Sequence, residues 1–176
     1  MRKSEFLKHI NQLGEEELRQ ELTLLFDKLA EVKLYYKMEL GNEKDRKRIY
    51  SQAKKDIASK YKTKSIRKPR RPRIQKVQKI LRELERQTVF NYELIDIYLY
   101  DVECALQFAR KYDYFTQVLF NNISRSFERA CELIEQNRLY KDYSERCDNI
   151  LLLSRYIREL NKNLNAIYTS KLDSSS

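Results

Sequence analysis

Glycine and proline occur only four times in 176 residues, as Gly14, Gly41, Pro69 and Pro72. Sheets and tight hairpins draw their turns from these residues, and none follows Pro72, so the chain is expected to be all-α. Its aliphatic side chains agree: 23 leucines stand against five valines, the balance of a helical protein and not of a sheet. With 41% hydrophobic residues the chain has enough apolar surface to build a core.

Apolar spacing divides the chain into about six to seven helices. Phe6, Leu7, Ile10 and Leu13 mark a short first helix over residues 4–13, which stops at Gly14 and is expected to dock as a lid. Glu15, Glu16 and Glu17 open a second, with Leu18, Leu22, Leu25, Phe26 and Leu29 as a core stripe. Val32, Tyr35, Tyr36 and Leu40 either continue it or form another. Asn42 is placed to cap a basic helix whose inward face carries Ile49, Tyr50, Ala53, Ile57 and Tyr61. Ile74, Val77, Leu81 and Leu84 resume the helical stripe, with Pro72 as a first-turn residue.

Beyond that point boundaries rest on capping signals. Thr88 or Asn91 starts the helix with the widest apolar surface, from Leu94 to Leu106, and pattern leaves open whether 74–110 is one helix or two. Asp113 is expected to open the next, and Asp142 with Glu145 fits a capping box for the last, which packs Ile150 through Ile167. Long helices joined by short turns become antiparallel neighbours. The expected fold is an irregular helical bundle or a short stack of antiparallel helical hairpins, in a single domain over residues 1–171. It has a basic connector at 62–72 and a disordered tail at 172–176.

Charge is concentrated in one place. Residues 41–80 hold 16 Lys and Arg against Glu43, Asp45 and Asp56, a net of +13 in a chain whose total is +10. Lys60, Lys62, Lys64, Arg67, Lys68, Arg70, Arg71 and Arg73 crowd together without an acid among them, and Lys76 follows. Like charges at this density repel one another and favour an anionic partner. Tyr50 and Tyr61 could offer stacking faces, but their spacing with Ile49 and Ile57 turns them inward.

Other chemistries find less support. His9 is the only histidine, with no identifiable Cys, Ser or carboxylate partner for nucleophilic catalysis, and one histidine cannot furnish a di-iron bundle. Glu93, Asp96, Asp101 and Glu103 share one helix, where pairing with Arg110, Arg125 or Arg155 is the plainest expectation. No Gly-rich phosphate loop is present. Cys104, Cys131 and Cys147 are too far apart for a CxxC redox pair or a metal knuckle and read as buried thiols. No uncharged apolar stretch approaches the ~20 residues of a membrane span, and Glu5 and Lys8 interrupt the position of a signal peptide's apolar run. The sequence therefore implies a cytoplasmic protein without cofactor, metal or catalytic residue.

The first short helix, Glu17, Leu18 and Leu22 with Leu25 and Phe26, the Val32–Lys33 and Tyr35–Tyr36 pairs, and the Pro-containing connector into Ile74 together resemble a family of short helical bacterial proteins common in Bacteroidetes, the DUF6155 type. The resemblance covers residues 4 to about 90. It implies a small helical protein and carries over no catalytic residue. The functional expectation is a non-enzymatic protein that binds nucleic acid without sequence preference, through phosphate contacts from Lys60 to Lys76. The alternative is an interaction or scaffold module that docks an acidic protein partner.

Overall fold

The computed structural model describes residues 2–63, 69–87 and 90–172. They form nine helices: α1 Lys3–Ile10, α2 Glu15–Lys28, α3 Ala30–Leu40, α4 Glu43–Lys60, α5 Ile74–Gln87, α6 Asn91–Tyr112, α7 Gln117–Asn137, α8 Tyr140–Ser154 and α9 Arg158–Leu172. No strand occurs among the described residues. The fold class agrees with the sequence, but the helices exceed the expected six to seven because two apolar runs are interrupted. Region 74–110 is two helices, α5 and α6.

Leu29 makes the first interruption. Its backbone is extended, at φ −109° and ψ 116°, so the run from Glu15 to Leu40 bends into α2 and α3. The second lies at 155–157, in the segment expected to be one last helix. There Arg155 N–H donates to Leu152 O (3.3 Å), leaving Leu151 O without its helical donor. Ser154 Oγ (2.8 Å) and Asn161 Nδ2 (2.8 Å) donate to that carbonyl instead, and Asn161 Nδ2 also reaches Ser154 Oγ at 2.7 Å. Side-chain amides and hydroxyls thus do what a glycine or proline would otherwise do.

Capping follows the sequence in part. Asn42 Oδ1 accepts the Asp45 N–H at 2.9 Å, as expected for the start of α4. Gly14 precedes α2, where its N–H donates to Glu17 Oε2 at 2.8 Å. Asp113 does not open α7; it closes α6 in the left-handed region (φ 52°), and Thr116 is the N-cap. Arg138 closes α7 in the same way, at φ 57°. Nor do Asp142 and Glu145 form a box, because α8 begins at Tyr140, after Leu139. Pro72 lies just before α5, whose first carbonyl acceptor is Arg73. A side chain at Gly41 would overlap the Lys37 carbonyl, so the α3–α4 turn requires glycine.

The core is built on α6 and α7, a helical hairpin with α8 and α9 on one side and α4 and α5 on the other. α6 buries eleven residues, among them Leu94, Ile95, Leu99, Val102 and Phe108; α7 supplies Leu119, Ile123, Phe127 and Ile134. Each such side chain contributes roughly 1.5–3 kcal/mol on leaving water. Tyr50, Ala53, Ile57 and Tyr61 bring α4 into this core as expected, and Leu172 ends α9 in a buried position. Cys131 and Cys147 are buried and Cys104 half-buried, all as free thiols.

The N-terminal helices depart from expectation. Neither α1 nor α2 buries a residue. Leu22 (52% exposed), Phe26 (41%) and Leu29 (43%) form a stripe that faces solvent instead of a core, and Phe6 and Leu7 of the supposed lid are exposed. The stripe packs against α3, where Phe26 and Tyr36 meet at 6.4 Å between ring centroids. Periodicity identifies a face that gains from burial; it does not supply the surface that buries it.

Candidate functional site

Lys60 closes α4, and the chain returns to it at Arg73, whose N–H donates to Lys60 O at 3.2 Å. Within the loop so formed, Arg70 N–H donates to Thr63 Oγ1 at 3.0 Å. The two ends of the connector are therefore tied together at its neck. Its densest run of cations coincides with the segment between these two residues.

A buried polar network holds the neck against the core. Tyr61 OH donates to Asp101 Oδ1 at 2.6 Å, while Asp101 Oδ2 accepts from Asn122 Nδ2 (3.1 Å) and Ser126 Oγ (2.8 Å). Asn122 Nδ2 also reaches Tyr61 OH at 3.2 Å, and Gln78 Nε2 donates to Asn122 Oδ1 at 2.7 Å. Side chains from both helices flanking the connector, Tyr61 and Gln78, are thereby joined to α6 and α7. Burial pushes the Asp101 carboxyl above its ordinary pKa although all three donors oppose the shift. Burial, with the neighbouring Asp101 charge, raises the Tyr61 phenol further, so it remains a donor.

Some cations around the connector have carboxylate partners, while Lys44, Arg48 and Lys55 of α4 are exposed and pair with none among the described residues. Lys47 pairs with Glu43 (2.5 Å), Lys79 with Glu83 (3.7 Å) and Lys54 with Asp96. Lys62, Arg70, Arg71, Arg73 and Lys76 are exposed, and none of them pairs with a carboxylate among the described residues. Lys60 is half-buried, with Nζ on Ser59 Oγ at 3.1 Å. Lys64, Arg67 and Lys68 lie outside the described residues.

The structure adds a wall that sequence reasoning missed. Arg71, Arg73 and Lys76 line a groove of about 600 Å³ together with Tyr114 and Thr116 from the α6–α7 turn and Val118 from the first turn of α7. Phe108 ties the two sides: its ring lies 6.2 Å from Tyr61 and 5.4 Å from Tyr114, the latter in a T-shaped contact. Val118 is 66% exposed. The one sequence signal for this wall was the aromatic run from Tyr112 to Phe115, which reads locally as the end of one helix and the start of the next.

The carboxylates of α6 take other partners than Arg110, Arg125 and Arg155. Arg146 of α8 binds Asp96 Oδ1 through Nη1 (2.5 Å) and grips Glu103 with Nε (2.6 Å) and Nη2 (3.1 Å). Asp101 is satisfied by neutral donors. Glu93 is half-buried, and its raised pKa comes chiefly from burial, opposed by the Tyr50 and Tyr92 hydroxyls and by Arg46. His9 is exposed on α1. No group of three or more His, Cys, Asp or Glu suited to a metal ion occurs among the described residues, and no helix there is long and apolar enough to cross a membrane.

These features define an all-α protein in which a tied, Arg- and Lys-rich connector borders a partly apolar groove. The chain belongs to the DUF6155 family, a family of unknown function, whose sequence model matches residues 1–170. The likeness seen over residues 4 to about 90 thus extends over nearly the whole chain. No curated protein and no solved structure matches the chain.

Proposed function

We propose that this protein binds nucleic acid without sequence preference, by neutralising backbone phosphates with the segment from Lys60 to Lys76. The observation that carries this reading is a run of exposed cations that no carboxylate among the described residues neutralises. Lys62, Arg70, Arg71 and Arg73 of the connector and Lys76 in the first turn of α5 are exposed without a carboxylate partner among the described residues, and Lys44, Arg48 and Lys55 of α4 extend this unpaired charge. Holding the loop at its neck reduces the ordering cost of binding. Backbone contacts of this kind need charge and spacing, not base recognition. A cytoplasmic location, where nucleic acid is within reach, goes with this reading.

Fluorescence anisotropy of labelled oligonucleotides, titrated over a range of salt concentrations, tests it. Affinity for duplex should fall with a log–log slope of roughly −0.9 per phosphate neutralised, and the triple substitution R70E/R71E/R73E should abolish binding while leaving helix content unchanged. Retained affinity in that variant would remove the segment from consideration.

A second reading, docking of an acidic protein partner, draws on the solvent-facing Leu22, Phe26 and Leu29 stripe, which a protein surface would cover and a nucleic acid would not. Absence of oligonucleotide binding at low salt favours it.

A further inference from the structure

Resting on the nucleic-acid reading, we infer that the preferred ligand is an unpaired strand, one of whose bases enters the groove against Tyr114 and Val118 while its phosphates lie on Arg71, Arg73 and Lys76. A duplex presents phosphates but hides its base faces in the stack. It would use the cationic wall and leave the apolar one in water. An unpaired nucleotide presents both chemistries at once, an anionic backbone and a flat apolar base, and the groove offers both within one volume. At about 600 Å³ it falls inside the ~300–1,000 Å³ span of small-ligand sites.

The apolar wall is prepared for this. Tyr114 is half-buried and held by its T-shaped contact with Phe108, so its ring is set before a ligand arrives. Its backbone is set as well, since Tyr114 N–H donates to Ala109 O at 3.0 Å in the left-handed closure of α6. Val118 lies in the first turn of α7, two-thirds exposed (66%) on the same groove, where a covering base would remove it from water. Aromatic side chains beside a cationic track are how strands are held without sequence preference, because every base has a stacking face.

The test compares a labelled single strand, as oligo(dT) and as oligo(U), with a duplex of equal length, each titrated against wild type, Tyr114→Ala and Tyr114→Phe. The expected result is tighter binding of the single strand, a loss on the order of tenfold in Tyr114→Ala, recovery in Tyr114→Phe, and duplex affinity unchanged by either substitution. The tighter of the two homopolymers identifies the sugar. Photocrosslinking of a 4-thiouridine strand to the wild-type protein should label the 114–118 segment, a readout that does not depend on how a variant folds. Equal or tighter duplex binding that ignores Tyr114 overturns this inference and leaves backbone binding standing. A single-strand preference that Tyr114→Ala does not reduce, with crosslinks elsewhere, overturns the groove assignment. Failure of wild type to bind either form at low salt overturns both readings.

Discussion

Tyr61 OH donates to Asp101 Oδ1 at 2.6 Å, forty positions away in sequence, and through this bond the connector is anchored to the centre of the core. Tyr61 is 6% exposed and Asp101 fully buried. Substituting Asp101→Ala would leave the hydroxyl donors of Tyr61 and Ser126 without their acceptor and Asn122 Nδ2 with the Tyr61 hydroxyl alone. We expect a loss of about 3 kcal/mol for Asp101→Ala and about 1 kcal/mol for Tyr61→Phe, which removes one donor to Asp101 and leaves Asn122 Nδ2 its bond to Asp101 Oδ2. Urea denaturation monitored by circular dichroism measures both, and equal costs would contradict the network.

The same carboxyl gives a pH prediction. Burial holds Asp101 above its ordinary pKa, so its protonated form favours the folded chain. That stabilisation is complete below the ordinary carboxylate value of about 4 and is lost as pH rises through the raised value. Wild type should therefore lose stability relative to Asp101→Asn as pH increases from about 4, with a slope of at most ~1.4 kcal/mol per pH unit. Denaturation midpoints at a series of pH values supply the comparison; a difference independent of pH would argue that Asp101 is not held above its ordinary pKa.

Arg146 is the sole guanidinium shared by Asp96 and Glu103 among the described residues. Replacing it with Met keeps much of the volume, strands the half-buried Glu103 and leaves Asp96 with Lys54 as its one cationic partner among the described residues. With about a quarter of the Arg146 side chain exposed (27%), the cost should fall below that of a fully buried pair, at about 2 kcal/mol. The triple variant Arg146→Met/Asp96→Asn/Glu103→Gln should recover part of it, which thermal melts of the two proteins would reveal.

Arg138 closes α7 at φ 57°, a conformation that costs an L-residue with a Cβ roughly 1–2 kcal/mol. Arg138→Gly should raise stability, by about 0.5–1 kcal/mol after glycine's greater freedom in the unfolded chain is set against the relief. A lowered melting temperature would indicate that the arginine side chain makes up for its backbone.

Local signals were the reliable part of the sequence. Asn42 announces α4 because its side-chain acceptor and the amide it caps are three residues apart. Tyr50 and Tyr61 turn inward because they share a helix face with Ala53 and Ile57. Helix ends made without glycine were not legible: Asp113 and Arg138 carry the left-handed conformation, and nothing in either residue type marks the second of them. The break at 155–157 was equally hidden, since the group that completes it, Asn161, lies in the following helix.

By itself the sequence determined that the chain would be helical, where its positive charge would gather and that a connector would follow Tyr61, because periodicity, charge and punctuation act over a few residues. Only the tertiary structure decided that Leu22 and Phe26 would meet solvent, that Arg146 would take Asp96 and Glu103, and that Tyr114 would stand across a groove from Arg71 and Arg73. Burial, ion pairing and cavity shape depend on how whole helices are placed against one another, and here that placement is set by contacts such as those of Tyr61 with Asp101 and Phe108, which lie far from it along the chain.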